Sequence, residues 1–169
     1  MQDSMVMNKA DGETLSELLK CGDIPDKPLK VCFVCTGNTC RSPMAAAVLN
    51  YLGGGRYNAV SAGLSANPGD PIAENAVSAL QKAGVTPVEG NDYRTHRARR
   101  IDERVCAECD RVIAMTKQHL MRLIYDFPQY ASKFSAMPED IPDPFLMGQK
   151  EYDRCLDSIT EGIKGSFAL

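Results

Sequence analysis

The sequence predicts an α/β fold, a parallel sheet with helices packed on both faces. Three observations carry that prediction. Short apolar runs alternate with helix-patterned stretches from residue 29 onward, the first run, LKVCFVC, has the continuous hydrophobicity of a strand buried on both sides, and proline and glycine punctuate the segments. Right-handed crossovers in such a fold gather the loops that follow the strands on one rim, where ligands bind.

In order, residues 1–28 are polar and read as an appended N-terminal segment with one helical stretch, ETLSELLK, and two proline breaks in DIPDKP. Residues 29–169 form the domain. Residues 29–35 are the first strand, and SPMAAAVLNYL, with Pro43 at an N1-like position, is the first helix. YNAVSAG is a second strand, and residues 70–84 place apolar side chains at helical spacing up to a stop at Gly84. DERVCAEC reads as a short helix, DRVIAMT as a strand, and KQHLMRLIYDF as a helix ended by Pro128. A last strand falls in KFSAM, a proline-rich loop in PEDIPDPF, and a closing amphipathic helix in QKEYDRCLDSITEGI.

The bulk numbers exclude several function classes. A chain of 169 residues fits one domain, and its net charge of −3 gives no electrostatic case for nucleic acid or an anionic membrane as partner. No apolar run approaches the roughly 20 residues of a membrane span, and a cytoplasmic protein is expected. The 7 cysteines are odd in number and irregularly spaced, so reduced thiols are expected rather than a secreted disulfide framework. Zinc is disfavoured at the pairs Cys32/Cys35 and Cys106/Cys109, because Cys32 lies inside a strand-like run. Only His96 and His119 are available, too few for a histidine-rich dinuclear metal site, and neither a GxxxxGK[ST] nor a GxGxxG loop is present. No metal or cofactor is expected.

The informative stretch is CTGNTCRS, residues 35–42, which leads from a strand into a helix N-terminus. Such a turn aims successive backbone N–H groups and the positive end of a helix dipole at one point, forming a cradle of phosphate size. That field favours the Cys35 thiolate, and Gly37 supplies backbone freedom. Arg41 brings a planar fork that can grip two oxygens of a phosphoryl group and hold them harder as charge spreads in the transition state. Taken alone, a cysteine ending a core strand is more often a small hydrophobe, the reading given to Cys32; the whole constellation reverses it for Cys35. Cys40 lies close enough in sequence for a reversible protective disulfide with Cys35. Transfer to sulfur also needs an acid, then a base; Asp143, before Pro144 in a loop after the last strand, is the candidate and Asp140 its competitor. Arg94, Arg97, Arg99 and Arg100 read as a solvated face able to steer anions.

VCFVCTGNTCRSPMAAAV together with IPDPF resembles the low-molecular-weight protein tyrosine phosphatase family from about Leu29 to the end of the chain. The resemblance implies a four-stranded parallel sheet, phosphotyrosine protein phosphatase I-like, and metal-free hydrolysis through a phosphocysteine. It implies Cys35 as nucleophile, Arg41 as phosphate clamp, Asp143 as acid then base, and Thr36, Gly37, Asn38, Thr39 and Cys40 as backbone donors. Ser42 is implied to support the thiolate, and Asn38, Ser61 and His96 to hold the loop in its strained shape. Phosphorylated proteins are the implied partners, with inorganic phosphate or vanadate as occupants of the cradle. The substrate wall departs from the phosphotyrosine pattern. Thr39 stands where an aliphatic residue is common, and Phe145 and Leu146 where a tyrosine pair is common, so half the aromatic wall is missing. Phosphotyrosine is the family default; Thr39 resembles the bacterial branch that acts on phosphoarginine. A thiol-relay arsenate reductase using Cys106 and Cys109, and an inactive phospho-binding module, are the remaining alternatives; Pro43 in place of a glutamine disfavours the first, and the intact Cys35, Arg41 and Asp143 the second.

Overall fold

A computed structural model describes residues 26–169, so the helical stretch ETLSELLK and Cys21 lie outside the described residues. The elements are β1 (Leu29–Cys35), α1 (Arg41–Leu52), β2 (Tyr57–Gly63), α2 (Glu74–Lys82), α3 (Glu103–Glu108), β3 (Arg111–Ala114), α4 (Lys117–Asp126), β4 (Phe134–Ala136) and α5 (Gln149–Ser166), with short 3₁₀ turns at Tyr93–Thr95 and Pro128–Lys133. All four strands are parallel, in the order β2-β1-β3-β4. The chain leaves β1 for β2 on one side and returns to β3 on the other. That reversal makes the carboxyl end of β1 the switch point where a crevice opens.

Successive side chains of β1 point to opposite faces, and the chain covers both. Val31, Phe33 and Cys35 join a core built with α1, α2 and α5, including Met44, Leu49, Leu80, Ile159 and Ile163. Cys32 and Val34 join a second core with Val105 of α3, Leu123 of α4, and Cys106 and Cys109. Each fully buried Phe, Leu or Ile contributes roughly 1.5–3 kcal/mol, so the frame beneath the β1 loop is rigid. The same alternation splits the first CxxC pair, leaving Cys32 in one core with Cys106 and Cys109 and Cys35 in the other. Cys35 lies across the sheet from Cys106 and Cys109, so these thiols do not converge on one zinc, nor can the second pair relay a disulfide to Cys35 without opening a core.

Several boundaries differ from the sequence pattern, for local reasons. The helix expected over 70–84 begins at Glu74, because Pro71 is bridged to Arg97 and Ala73 is extended; Gly84, at φ +75°, ends it as expected. α1 begins at Arg41, two residues before Pro43, which the first turn tolerates because its N–H groups lack intrahelical partners. α1 is buried from Arg41 through Asn50, as its alanine-rich and nearly featureless pattern requires. α5 continues to Ser166, three residues past the predicted end, carrying Ile163 and then Phe167 into the first core.

Candidate active site

Cys35 is the last residue of β1, and the loop after it is tied down from four directions at one residue, three through its side chain and one through its carbonyl. Asn38 is fully buried and left-handed, with φ +58°. Its Nδ2 donates to Ser42 Oγ and to Ser61 Oγ, each at 2.9 Å, while its Oδ1 accepts the Arg99 backbone N–H at 3.0 Å. The His96 ring meets the Asn38 carbonyl at 2.8 Å, Nε2 donating. Left-handed backbone is rare outside glycine, and Asn tolerates it better than most residues. The expectation that Gly37 supplies the special backbone is therefore corrected: Gly37 has no positive φ and room for a Cβ, and the turn's strain sits on Asn38. The glycine the loop does need is Gly63 at the end of β2. A Cβ there would stand 2.6 Å from the Thr36 carbonyl and 2.9 Å from Ala66 Cβ.

This hub orients the sulfur's surroundings. With Asn38 donating to Ser42 Oγ, the hydroxyl proton of Ser42 is left for Cys35 Sγ at 2.9 Å or the more distant Ala62 carbonyl at 3.4 Å. The Asn38 backbone N–H points at the same sulfur from 3.3 Å. Ser42 Oγ and the Asn38 amide thus converge on Cys35 Sγ before any substrate arrives.

Arg41, at the start of α1, is almost completely buried and reaches the opposite wall. Its guanidinium donates to the Ile141 carbonyl at 3.0 Å and pairs with Asp143 at 3.3 Å, tying the cradle to the proline-rich loop. Asp143 is half exposed, and its other oxygen accepts the Phe145 N–H at 3.1 Å. Asp140 is occupied elsewhere, accepting the Lys117 N–H at 2.8 Å at the start of α4. The geometry thus separates the two acid candidates and places Asp143 on the cavity that Cys35 lines.

Cys35, Thr36, Gly37, Asn38, Thr39, Cys40, Arg41, Asp143 and Phe145 line one cavity of about 240 Å³. Ser42 lies beneath it. Leu146 is not on its wall; that residue is 87 % exposed, so the wall expected of Thr39, Phe145 and Leu146 reduces to the first two. Ser65, Asn67 and Asp70, from the segment after β2, complete the lining and had no distinguishing sequence pattern. A second cavity of about 290 Å³ lies against Asn50, Ser61, His96 and Arg99, and no cysteine is among the described residues that line it.

Burial shifts four titratable groups around the cavity, Cys40, Tyr152, His96 and His119, toward their neutral forms. Burial pushes the Cys40 thiol up, against hydrogen bonds to Tyr152 and Thr39 that lower it, and Tyr152 is itself raised by burial. Cys35 and Cys40 are free thiols. Burial lowers both histidines, helped by Arg99 and Arg97 for His96 and by Arg41 for His119. His119 is a site residue the sequence did not single out: its Nε2 lies 2.9 Å from Thr36 Oγ1 in the cradle, and its buried Nδ1 has no partner among the described residues. The arginine cluster is exposed as expected, but two members also brace the site, Arg99 Nε on the Ser61 carbonyl and Arg100 Nε on the Ala66 carbonyl.

Residues 30–168 match the family described as low molecular weight phosphotyrosine protein phosphatase. The chain belongs to that family. This makes it a cysteine-dependent phosphatase, a hydrolase. Relatives include the protein-arginine-phosphatase of Bacillus subtilis, 32 % identical over 143 residues that cover 79 % of this chain and 91 % of that protein. The low molecular weight protein-tyrosine-phosphatase Wzb of Salmonella typhi is 31 % identical over 132 residues, covering 73 % and 82 % respectively. Among solved structures, the YwlE arginine phosphatase of Geobacillus stearothermophilus superposes with a TM-score of 0.72 at 30 % identity, covering 81 % of this chain and 89 % of that one. Vibrio vulnificus Wzb in complex with benzylphosphonate gives 0.75 at 25 % identity, covering 83 % and 97 %. The four-stranded parallel sheet is thus the family fold.

Proposed function

We propose that the chain removes phosphate from phosphorylated protein side chains in the cytoplasm through a phosphocysteine at Cys35. Residues 29–169 act as the phosphatase domain and residues 1–28 as an appended segment. Cys35 attacks phosphorus along the line to the leaving atom, forming the S–P bond as the P–O or P–N bond breaks, while Asp143 gives its proton to the departing group. Arg41 and the amides of Thr36 to Cys40 hold the three equatorial oxygens, where transition-state charge accumulates. Water then attacks phosphorus, Asp143 takes its proton, the S–P bond breaks, and inorganic phosphate leaves. Phosphate and vanadate are the anions expected to occupy the same cradle.

The observation that carries this reading is the convergence of Ser42 Oγ and the Asn38 amide on Cys35 Sγ in a cavity shared with Arg41 and Asp143. Cys35→Ser should abolish turnover of nitrophenyl phosphate while phosphate or vanadate still binds by calorimetry. Normal hydrolysis by that variant would end the mechanism.

Phosphotyrosine is the substrate class the family name carries, and Phe145, 59 % exposed at the cavity mouth, offers it one aromatic wall. Phosphoarginine is the second reading, favoured by Thr39, a cavity residue whose hydroxyl has a 3.6 Å contact to Cys40 Sγ as its one hydrogen-bond partner among the described residues, and by the likeness to two arginine phosphatases. Turnover of matched phosphotyrosine and phosphoarginine peptides by the wild type and Thr39→Ile separates the two readings.

A further inference from the structure

Asp70 is a carboxylate on the wall of a cavity built to hold an anion, and nothing in the mechanism uses it. It closes the segment after β2, in a tight turn whose Gly69 has φ +92°. The turn is clamped: the Ala98 N–H donates to the Asp70 carbonyl at 2.8 Å, and the Gly69 N–H to the Ala98 carbonyl at 2.9 Å. Three residues on, the Ala73 N–H donates to the Thr39 carbonyl at 2.9 Å, locking this segment in register with the cradle. Asn67 Nδ2 donates to Asp70 Oδ1 at 2.9 Å, which fixes the carboxylate, while Oδ2 has no hydrogen-bond partner among the described residues. Among the described residues no Lys, Arg or His is paired with it: Arg97 donates to the His96 carbonyl and Arg100 to that of Ala66.

An unneutralised carboxylate facing an oxyanion site repels every phosphate dianion that approaches. Its presence is favourable only for a substrate whose leaving group is itself positive. Phosphotyrosine brings a neutral ring with no donor near the ester oxygen. Phosphoarginine brings a guanidinium, planar and cationic, whose remaining N–H groups need acceptors once its phosphoryl group is in the cradle. Asp70, Thr39 Oγ1 and the exposed Phe145 ring supply an anionic acceptor, a neutral acceptor and a stacking face around the same opening.

We infer that Asp70 is a specificity residue, selecting proteins phosphorylated on the guanidinium of arginine over those phosphorylated on a phenol. The inference rests on the phosphatase reading above. Its test compares wild type, Asp70→Asn and Asp70→Glu on a phosphoarginine peptide, a phosphotyrosine peptide of the same sequence, and nitrophenyl phosphate. Asp70→Asn keeps the Asn67 contact and should move the two classes in opposite directions. kcat/KM for phosphoarginine should fall about tenfold or more, mainly through KM, whereas kcat/KM for both aryl phosphates should rise about two- to threefold and inorganic phosphate should inhibit more tightly. Asp70→Glu should recover part of the phosphoarginine activity. An equal change on all three substrates, or an unchanged ratio between the peptides, overturns the role of Asp70. So does a wild type that cleaves the aryl phosphates but not phosphoarginine, and in both cases the phosphatase reading stands. A wild type that cleaves none of the three removes that reading itself.

Discussion

The two walls of the cavity are built to opposite specifications. On the nucleophile side, Asn38 and Ser42 are fully buried, and every polar atom of the Asn38 side chain has a partner. On the acid side, Asp143 is half exposed, Phe145 and Leu146 are 59 % and 87 % exposed, and the loop is joined to the cradle mainly through Arg41. The difference follows from the two tasks. Amides that stabilise an oxyanion act only if they are already in place, because reorganising them during reaction would forfeit the gain. An acid that must meet different leaving groups, and then a water, works from a loop that can adjust.

The sharpest way to break the comparison is to loosen the rigid wall. Asn38→Ala deletes three buried side-chain hydrogen bonds and leaves an alanine at φ +58°. Unfolding in urea should show a loss of about 3–5 kcal/mol, and kcat/KM on nitrophenyl phosphate should drop by about a hundredfold or more. A variant that kept a tenth of its activity would show that the hub is ornamental to the cradle.

Changing the adaptable wall should separate chemistry from stability. Asp143→Ala should reduce kcat about a hundredfold for poor leaving groups and much less for nitrophenyl phosphate, which needs little protonation. Its half-exposed pair with Arg41 contributes at most about 1 kcal/mol, so the unfolding midpoint should barely move. Equal losses for good and poor leaving groups would remove Asp143 as the acid.

How much of this contrast was legible in the sequence tracks how local each feature is. The strand, loop and helix around Cys35 were readable because hydrophobic run, polar turn and helix start are adjacent in the chain. The hub was readable only in outline. Ser61 and His96 followed from family resemblance, but the Arg99 contribution is a backbone amide and leaves no mark on residue choice. Asp143 and Asp140 have nearly the same sequence surroundings, and only the fold shows that Asp140 faces the start of α4. Asp70 was missed because it stood at the head of the helix expected over 70–84, with nothing to mark it as a site residue; its neighbourhood with Thr39 depends on the long-range Ala73 to Thr39 bond.

A gentler test titrates the supports. His96 and His119 are both lowered by burial, so each binds protons more weakly folded than unfolded. Above the unfolded value near 6.5 both states are neutral and the histidines have no effect on stability; as pH falls below it, the unfolded chain takes up protons first and stability is lost. Urea midpoints from pH 7.5 down to 5 should therefore fall, and His119→Gln should flatten part of that decline. An unchanged slope in that variant would mean that His119 titrates alike in both states.

The smallest expected effect lies at Leu146, the second non-glycine residue with a positive φ, at +62°. Unlike Asn38 it is almost fully exposed and has no side-chain hydrogen bond to offset the strain. Left-handed backbone costs a leucine about 1–2 kcal/mol, while glycine loses about 0.5–1 kcal/mol through the greater freedom of the unfolded chain. Leu146→Gly should therefore raise stability by roughly 0.5 kcal/mol. Because Asp143 lies in the same loop, the variant should also lower kcat on peptides more than on nitrophenyl phosphate. If stability rises and the kcat values keep their ratio, the strain belongs to the loop alone and the acid's position owes nothing to it.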